Sequence, residues 1–397
     1  MPARRPHPQR GRELNSTGHR TSMLLVASVL VACDPPAGDP GSMEGSTGAQ
    51  DVSSTSGTTA SEGSTADMDP PQPPTPTEYN VVFVTSSVVR ADFGGLEQAD
   101  EICMQHARDA GLQGTFVAWL STSTTDALSR LHGARGWVRT DGRPFADEAD
   151  DVIFDSFYPP ALDEYGVHVG LDARPWSGTR FDGSRDEDTC EDWTSQTAWA
   201  VRGTPLGGVS RWIVGIRGVC SESAPLYCFG SDRNVPLEVN MPTEFRRVFV
   251  ANNVTLDENG RDGADQRCQQ DADQAGMPGS YLALLPTETS AAADRFDLTG
   301  PTWVRRDGVS VWENATDLPG GDMLAPVVFD ANGAKSGTLV LGGAPSPGDL
   351  PTEGTCEDWT AGEGDILVGR SDMSGTAGYG GQVSTCGPDR AFYCLEQ

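Results

Sequence analysis

Two copies of one hexapeptide hold the residues best suited to chemistry. Thr189-Cys190-Glu191-Asp192-Trp193-Thr194 recurs letter for letter as Thr355-Cys356-Glu357-Asp358-Trp359-Thr360. Glu191 with Asp192, or Glu357 with Asp358, supplies two carboxylates, the set that acid–base cleavage of a glycosidic bond uses. Neighbours in an extended strand point to opposite faces, so as a strand neither pair can easily flank one substrate. Cysteine and tryptophan in the same motif suit a disulfide packed on an indole, and a structural role is the first expectation. Exposed acids beside aromatics are common in glycan sites, so Glu191, Asp192, Glu357 and Asp358 stay as ligand-binding candidates.

Histidine narrows the chemistry further. Beyond the N-terminal segment only His106, His132 and His168 remain, all in the first half of the chain. A histidine-based mechanism shared by both copies is therefore impossible, and surface or packing roles are expected for all three. Acidic runs at Asp147–Asp151, Asp186–Asp188 and Asp257–Asp265 carry the donor types of a calcium site. The last misses the calcium-loop register, because its sixth position is Asp262 where glycine is needed. Solvated acidic loops are the expectation; no metal ligand is assigned, and calcium is the one cofactor the composition leaves room for. Trp176 and the loop from Pro159 to Asp188 differ most between the copies, the second offering Gly342-Gly343-Ala344-Pro345 nearby. Loops on a stapled scaffold are where binding specificity diverges, so Trp176 joins the ligand-binding candidates.

The elements that must position these groups are duplicated as well. Asn80–Thr85 reads as a strand, and Leu96, Ala99, Cys103, Ala107 and Ala110 form one helical stripe stopped by Gly111. A strand-like Thr115–Leu120, a short helical piece around Asp126–Leu131 and Gly136–Arg139 before the Asp141-Gly142 turn follow. Arg247–Val250, the stripe of Ala264, Cys268, Ala272 and Ala275, Ser280–Leu285 and Trp303–Arg305 repeat the order about 165 residues later. This is a tandem duplication. Of nine cysteines, Cys33 stands alone and four fall in each copy. That is the count of one lipid-modified cysteine and two disulfide-stapled units in an oxidising compartment; spacing alone leaves three pairings open in each unit. A zinc reading would want Cys-x-x-Cys or nearby histidines, and neither occurs.

Residues 1–32 read as an export signal, with Arg4, Arg5, Arg10, Arg12 and Arg20 ahead of the apolar run Met23–Ala32. That run is too short to span a bilayer. It ends Leu30-Val31-Ala32-Cys33, which resembles the bacterial lipobox, implying cleavage before a lipid-modified Cys33 and an anchored, extracytoplasmic protein of the bacterial cell envelope. Residues 33–78 are Ser, Thr, Gly, Pro and acidic residues with little that could be buried, a disordered tether expected to span about 35 to 40 Å. The net charge is -29, although residues 1–32 carry +4. So acidic a body should repel nucleic acid and anionic lipid surfaces, leaving the lipid anchor as its membrane contact.

Gly95-Leu96-Glu97-Gln98-Ala99-Asp100-Glu101-Ile102-Cys103, Ala110–Ser121, Cys190-Glu191-Asp192-Trp193, Cys220 and Leu226-Tyr227-Cys228 together resemble endostatin, the C-terminal domain of collagen XVIII. They resemble the uncharacterised bacterial lipoprotein domains related to it still more. The resemblance covers nearly all of both copies. It implies an α+β fold of two tandem disulfide-stapled domains related to C-type lectin domains, at 79–232 and 246–397, joined by a linker at 233–245. It also implies nested bridges, Cys103–Cys228 around Cys190–Cys220 and Cys268–Cys394 around Cys356–Cys386. Endostatin's zinc-binding histidines, its arginine-rich heparin face and the lectin calcium motifs have no counterparts here, so the resemblance carries scaffold and not ligand. The expected function is non-enzymatic binding of an extracytoplasmic protein or carbohydrate. An envelope glycan hydrolase using isolated carboxylates, or a purely structural role, are the alternatives.

Overall fold

A computed structural model describes residues 78–397 apart from Thr255, Asp257 and Glu258. Cys33 and nearly all of the expected tether lie outside the described residues. What is described belongs to one compact unit of mixed sheets and few helices.

Each half builds its own main sheet on a buried apolar strand. In the first half Asn80–Val84, buried on both faces, lies between Tyr227–Gly230, antiparallel, and Trp137–Arg139, parallel. Phe116–Ala118 and Pro144–Ala146 complete five strands. In the second half Arg246–Val254 lies between Arg390–Glu396 and Trp303–Val304 in the same senses. Here Leu339–Leu341, Asp365–Arg370 and Gln382–Thr385 extend the sheet, while Trp199–Arg202 and Ile216–Val219 of the first half pair apart.

The helix Leu96–Asp109 buries Ala99, Cys103 and Ala107, the expected stripe of small residues that lets it lie close to the sheet. Gly260–Gln274 buries Ala264, Cys268 and Ala272 likewise. All four bridges form in the nested order. Cys103–Cys228 ties helix to central sheet over 125 residues and Cys190–Cys220 closes a loop of 30. Cys268–Cys394 and Cys356–Cys386 do the same in the second half. Two further braces are copied: Asp100 and Asp265 each accept a strand amide and pair with an arginine, Arg130 and Arg295. Such half-buried, doubly used carboxylates fix helix to strand more firmly than an exposed ion pair could.

The segment 233–245 is held down rather than free. Arg135 donates its amide to Arg233 O, and Leu237 donates to the Asp147 carboxylate. At Gly136, with φ of 73°, a Cβ would stand 2.1 Å from Val235 O, so only glycine lets the segment run this close. The halves also touch each other. Tyr158 packs with Val309 and Ala325 and its hydroxyl accepts from Ser310 N at 3.1 Å; Leu206 packs on Met373. Gly208 N donates to Asp372 O and Ser374 N to Leu206 O. Lys335, the chain's one lysine, bonds Asp155 and Phe154 O across this contact. Among the described residues no helix is long and apolar enough to cross a membrane.

Candidate functional site

The hexapeptide corrects the sequence expectation most sharply: it is not extended. Cys190, Glu191, Asp192 and Trp193 have φ of 51°, 51°, 57° and 67°, a single turn of left-handed helix. Cys356–Trp359 repeats it at 53°, 53°, 51° and 71°. Each L-residue in that region costs about 1–2 kcal/mol, so four in a row must be held by their surroundings. Some of the holding groups come from the motif itself and others from distant loops. Trp193 N donates to Thr189 O at 2.9 Å, the Thr189 hydroxyl accepts from Asp192 N, and Thr194 Oγ1 donates to Glu191 O at 2.7 Å. Cys190 is tied to Cys220, and the buried Trp193 indole donates to Ser121 O at 2.8 Å. The second copy uses Thr355, Thr360 and the Trp359 bond to Pro286 O in the same ways.

The two carboxylates therefore differ in role. Asp192 accepts from Ser123 N and Ser123 Oγ, both at 2.6 Å, which binds a loop 69 residues away to the turn. Asp358 accepts from Glu288 N at 3.1 Å. Glu191 and Glu357 are exposed, and among the described residues their carboxylates meet no partner. Asp192 is engaged by the fold, so the pair does not present two free carboxylates to one substrate.

Burial opposes ionisation of Asp192, but the Ser123 hydroxyl and amide and the Thr189 hydroxyl outweigh it and lower its pKa. Asp141 is lowered too, burial being overcome by Arg139 and Arg143. A carboxyl with a depressed folded pKa adds stability above its unfolded value, about 3.9, and that part is lost as pH falls through the folded value. Denaturant unfolding should therefore show stability falling below about pH 4, more gently in Asp192→Asn. An unchanged acid slope in that variant would take Asp192 out of the account.

Trp176 is also corrected. It is fully buried, donates to Val89 O at 3.0 Å, meets Trp193 edge-on and carries the Arg202 guanidinium 4.0 Å above its ring. It is buried within the divergent loop and is not among the residues lining the cavity beside it. That loop does border a cavity of about 430 Å³, whose lining includes Thr85, Asp163, His168, Asp172, Arg174 and Arg202. Asp163 is buried beneath it, accepting from the Tyr165 and Val167 amides; burial pushes its carboxyl up.

The acidic runs are mostly committed elsewhere. Asp147 pairs with Arg135, Asp186 and Asp188 with Arg217, and Asp265 with Arg295. Asp257 and Glu258 lie outside the described residues, among which no group of three or more His, Cys, Asp or Glu is arranged to hold a metal ion.

His132 and His168 are exposed, as expected of surface histidines. His106 is partly buried and bonded at both ring nitrogens. Its Nδ1 lies 2.5 Å from Glu164 Oε1 and its Nε2 2.9 Å from Ser87 Oγ. Glu164 is buried and also accepts from Ser86 N at 2.9 Å. No spacing rule joins positions 87, 106 and 164; the one signal was that Glu164 falls in the divergent loop and that histidine occurs only in this half. Compared with known proteins, the chain matches no family model and no curated sequence.

Proposed function

We propose that this is a lipid-anchored envelope protein that binds an extracytoplasmic protein or carbohydrate through loops carried on two tandem endostatin-like domains of C-type-lectin-like fold. Cys33 is its anchor and the membrane is met only there. The observation that carries the reading is the 430 Å³ cavity bordered by the most divergent loop, where acidic and basic side chains converge, Arg202 among them stacked on the buried Trp176. Polar groups on a rigid floor are what oriented recognition of a small polar surface needs. The strong negative charge argues against nucleic acid as the partner.

The test is a glycan array together with a pull-down from envelope extracts, run with wild type and with the double variant Asp172→Ala, Arg174→Ala. Binding that falls at least tenfold in the variant at unchanged melting temperature supports the assignment. Two empty screens, or binding indifferent to both changes, would sink it.

A further inference from the structure

The first half departs furthest from its copy where Ser87, His106 and Glu164 meet. Ser87 follows the central strand, His106 lies on the helix Leu96–Asp109, and Glu164 comes from the divergent loop. The Glu164 side chain is 1% exposed and that of His106 17%. A carboxylate can only accept, so the 2.5 Å contact places a proton on His106 Nδ1. In the neutral imidazole Nε2 then carries the lone pair, 2.9 Å from the Ser87 hydroxyl. Ser86 N and Ser86 Oγ donate to the same carboxylate and hold it in place.

Ser87 itself is exposed, on a bend closed by the Thr85 hydroxyl donating to Ser87 O at 2.8 Å. Among the described residues the Ser87 and Val88 amides meet no protein acceptor, which leaves two donors beside the hydroxyl for a developing oxyanion. Val88, 59% exposed, follows Ser87 in the chain, and Tyr165, 52% exposed, follows Glu164. Among the described residues the second half has no such Ser–His–Glu group. Asp271, three residues after Cys268 as His106 is after Cys103, pairs with Arg267 instead.

We infer that Ser87, His106 and Glu164 form an acyl-transfer site that hydrolyses neutral carboxylic esters bearing an apolar group. Ser87 is the nucleophile, His106 the general base and acid, and Glu164 the positioning residue. As Ser87 Oγ bonds to the carbonyl carbon, its proton passes to His106 Nε2 and the carbonyl electrons move to the oxygen. Collapse of that intermediate breaks the bond to the alcohol oxygen, which takes the proton from Nε2 and leaves. Water attacks the acyl-serine with its proton going to Nε2; the second collapse returns that proton to Ser87 Oγ and frees the carboxylic acid. One ester and one water become one alcohol and one acid. The net negative charge selects against anionic esters.

This goes beyond the binding reading, and a failure here leaves that reading standing. The test uses the full chain with p-nitrophenyl acetate and, separately, a fluorophosphonate, whose phosphorus takes Ser87 Oγ and expels fluoride. Turnover should fall about 100- to 10,000-fold in Ser87→Ala and in His106→Asn, with the adduct mapping to Ser87 in wild type. Glu164→Gln should lower kcat, counted per fluorophosphonate-reactive serine, with KM little changed, which a loss of folded protein would not do. His132→Asn, at an exposed histidine elsewhere, should match wild type. No turnover above buffer, turnover undiminished in Ser87→Ala, or an adduct absent or on another residue overturns the inference.

Discussion

Replacing Cys103 and Cys228 by alanine should lower the unfolding free energy by about 5 kcal/mol, against about 3.6 kcal/mol for the Cys190–Cys220 pair. The difference follows from loop length, 125 residues against 30, because a longer loop removes more freedom from the unfolded chain. The outer bridge also joins the helix to the central strand pairing, where Cys228 lies opposite Phe83. Denaturant unfolding of the two double variants checks the order. Equal costs, or a larger cost for the inner pair, would mean that chain entropy does not govern these bridges. Peptide mapping without reduction should recover Cys103 linked to Cys228, and linkage to Cys190 would contradict the nested order.

Trp193→Ala should destabilise the protein by about 3–5 kcal/mol, as large aromatic truncations in packed cores do. The indole is fully buried and lies 5.7 Å from the Phe93 ring, nearly parallel to it. A Cβ at Gly178 would come within 2.8 Å of its Cζ2, so the loop has been fitted to this ring. Truncation leaves a void and strips Ser121 O of its donor, and it removes the side chain that anchors a left-handed residue. Trp193→Phe keeps much of the packing but loses the indole N–H, for a smaller cost of about 1–3 kcal/mol. Thermal unfolding of both variants reads the order; a Trp193→Ala protein within about 1 kcal/mol of wild type would show that the ring is not what holds the turn.

The helices and central strands could be read from the sequence because local pattern and tertiary demand agree there. The stripe of Ala99, Cys103 and Ala107 is both helical in period and buried in fact. The hexapeptide could not be read this way. No local propensity favours four left-handed L-residues, and what holds them, Cys220, Ser123 and Ser121, lies 30 to 72 residues away. Trp176 falls in the loop that differs most between the copies, yet its indole is buried there, against Trp193 and under Arg202. The grouping at Ser87 was invisible for the same reason as the turn: its members are 19 and 58 residues apart and meet only through the fold.

The left-handed turn bears on how the two copies have drifted. Five of its six letters are bound into the fold, two threonines and an aspartate by hydrogen bonds, a cysteine by a bridge and a tryptophan by the core. The side chain at the third letter is not, and at a φ near 51° glycine there would relieve roughly 1–2 kcal/mol. Both copies keep a solvent-facing carboxylate on a left-handed backbone, at the one letter of the turn whose side chain the fold does not use.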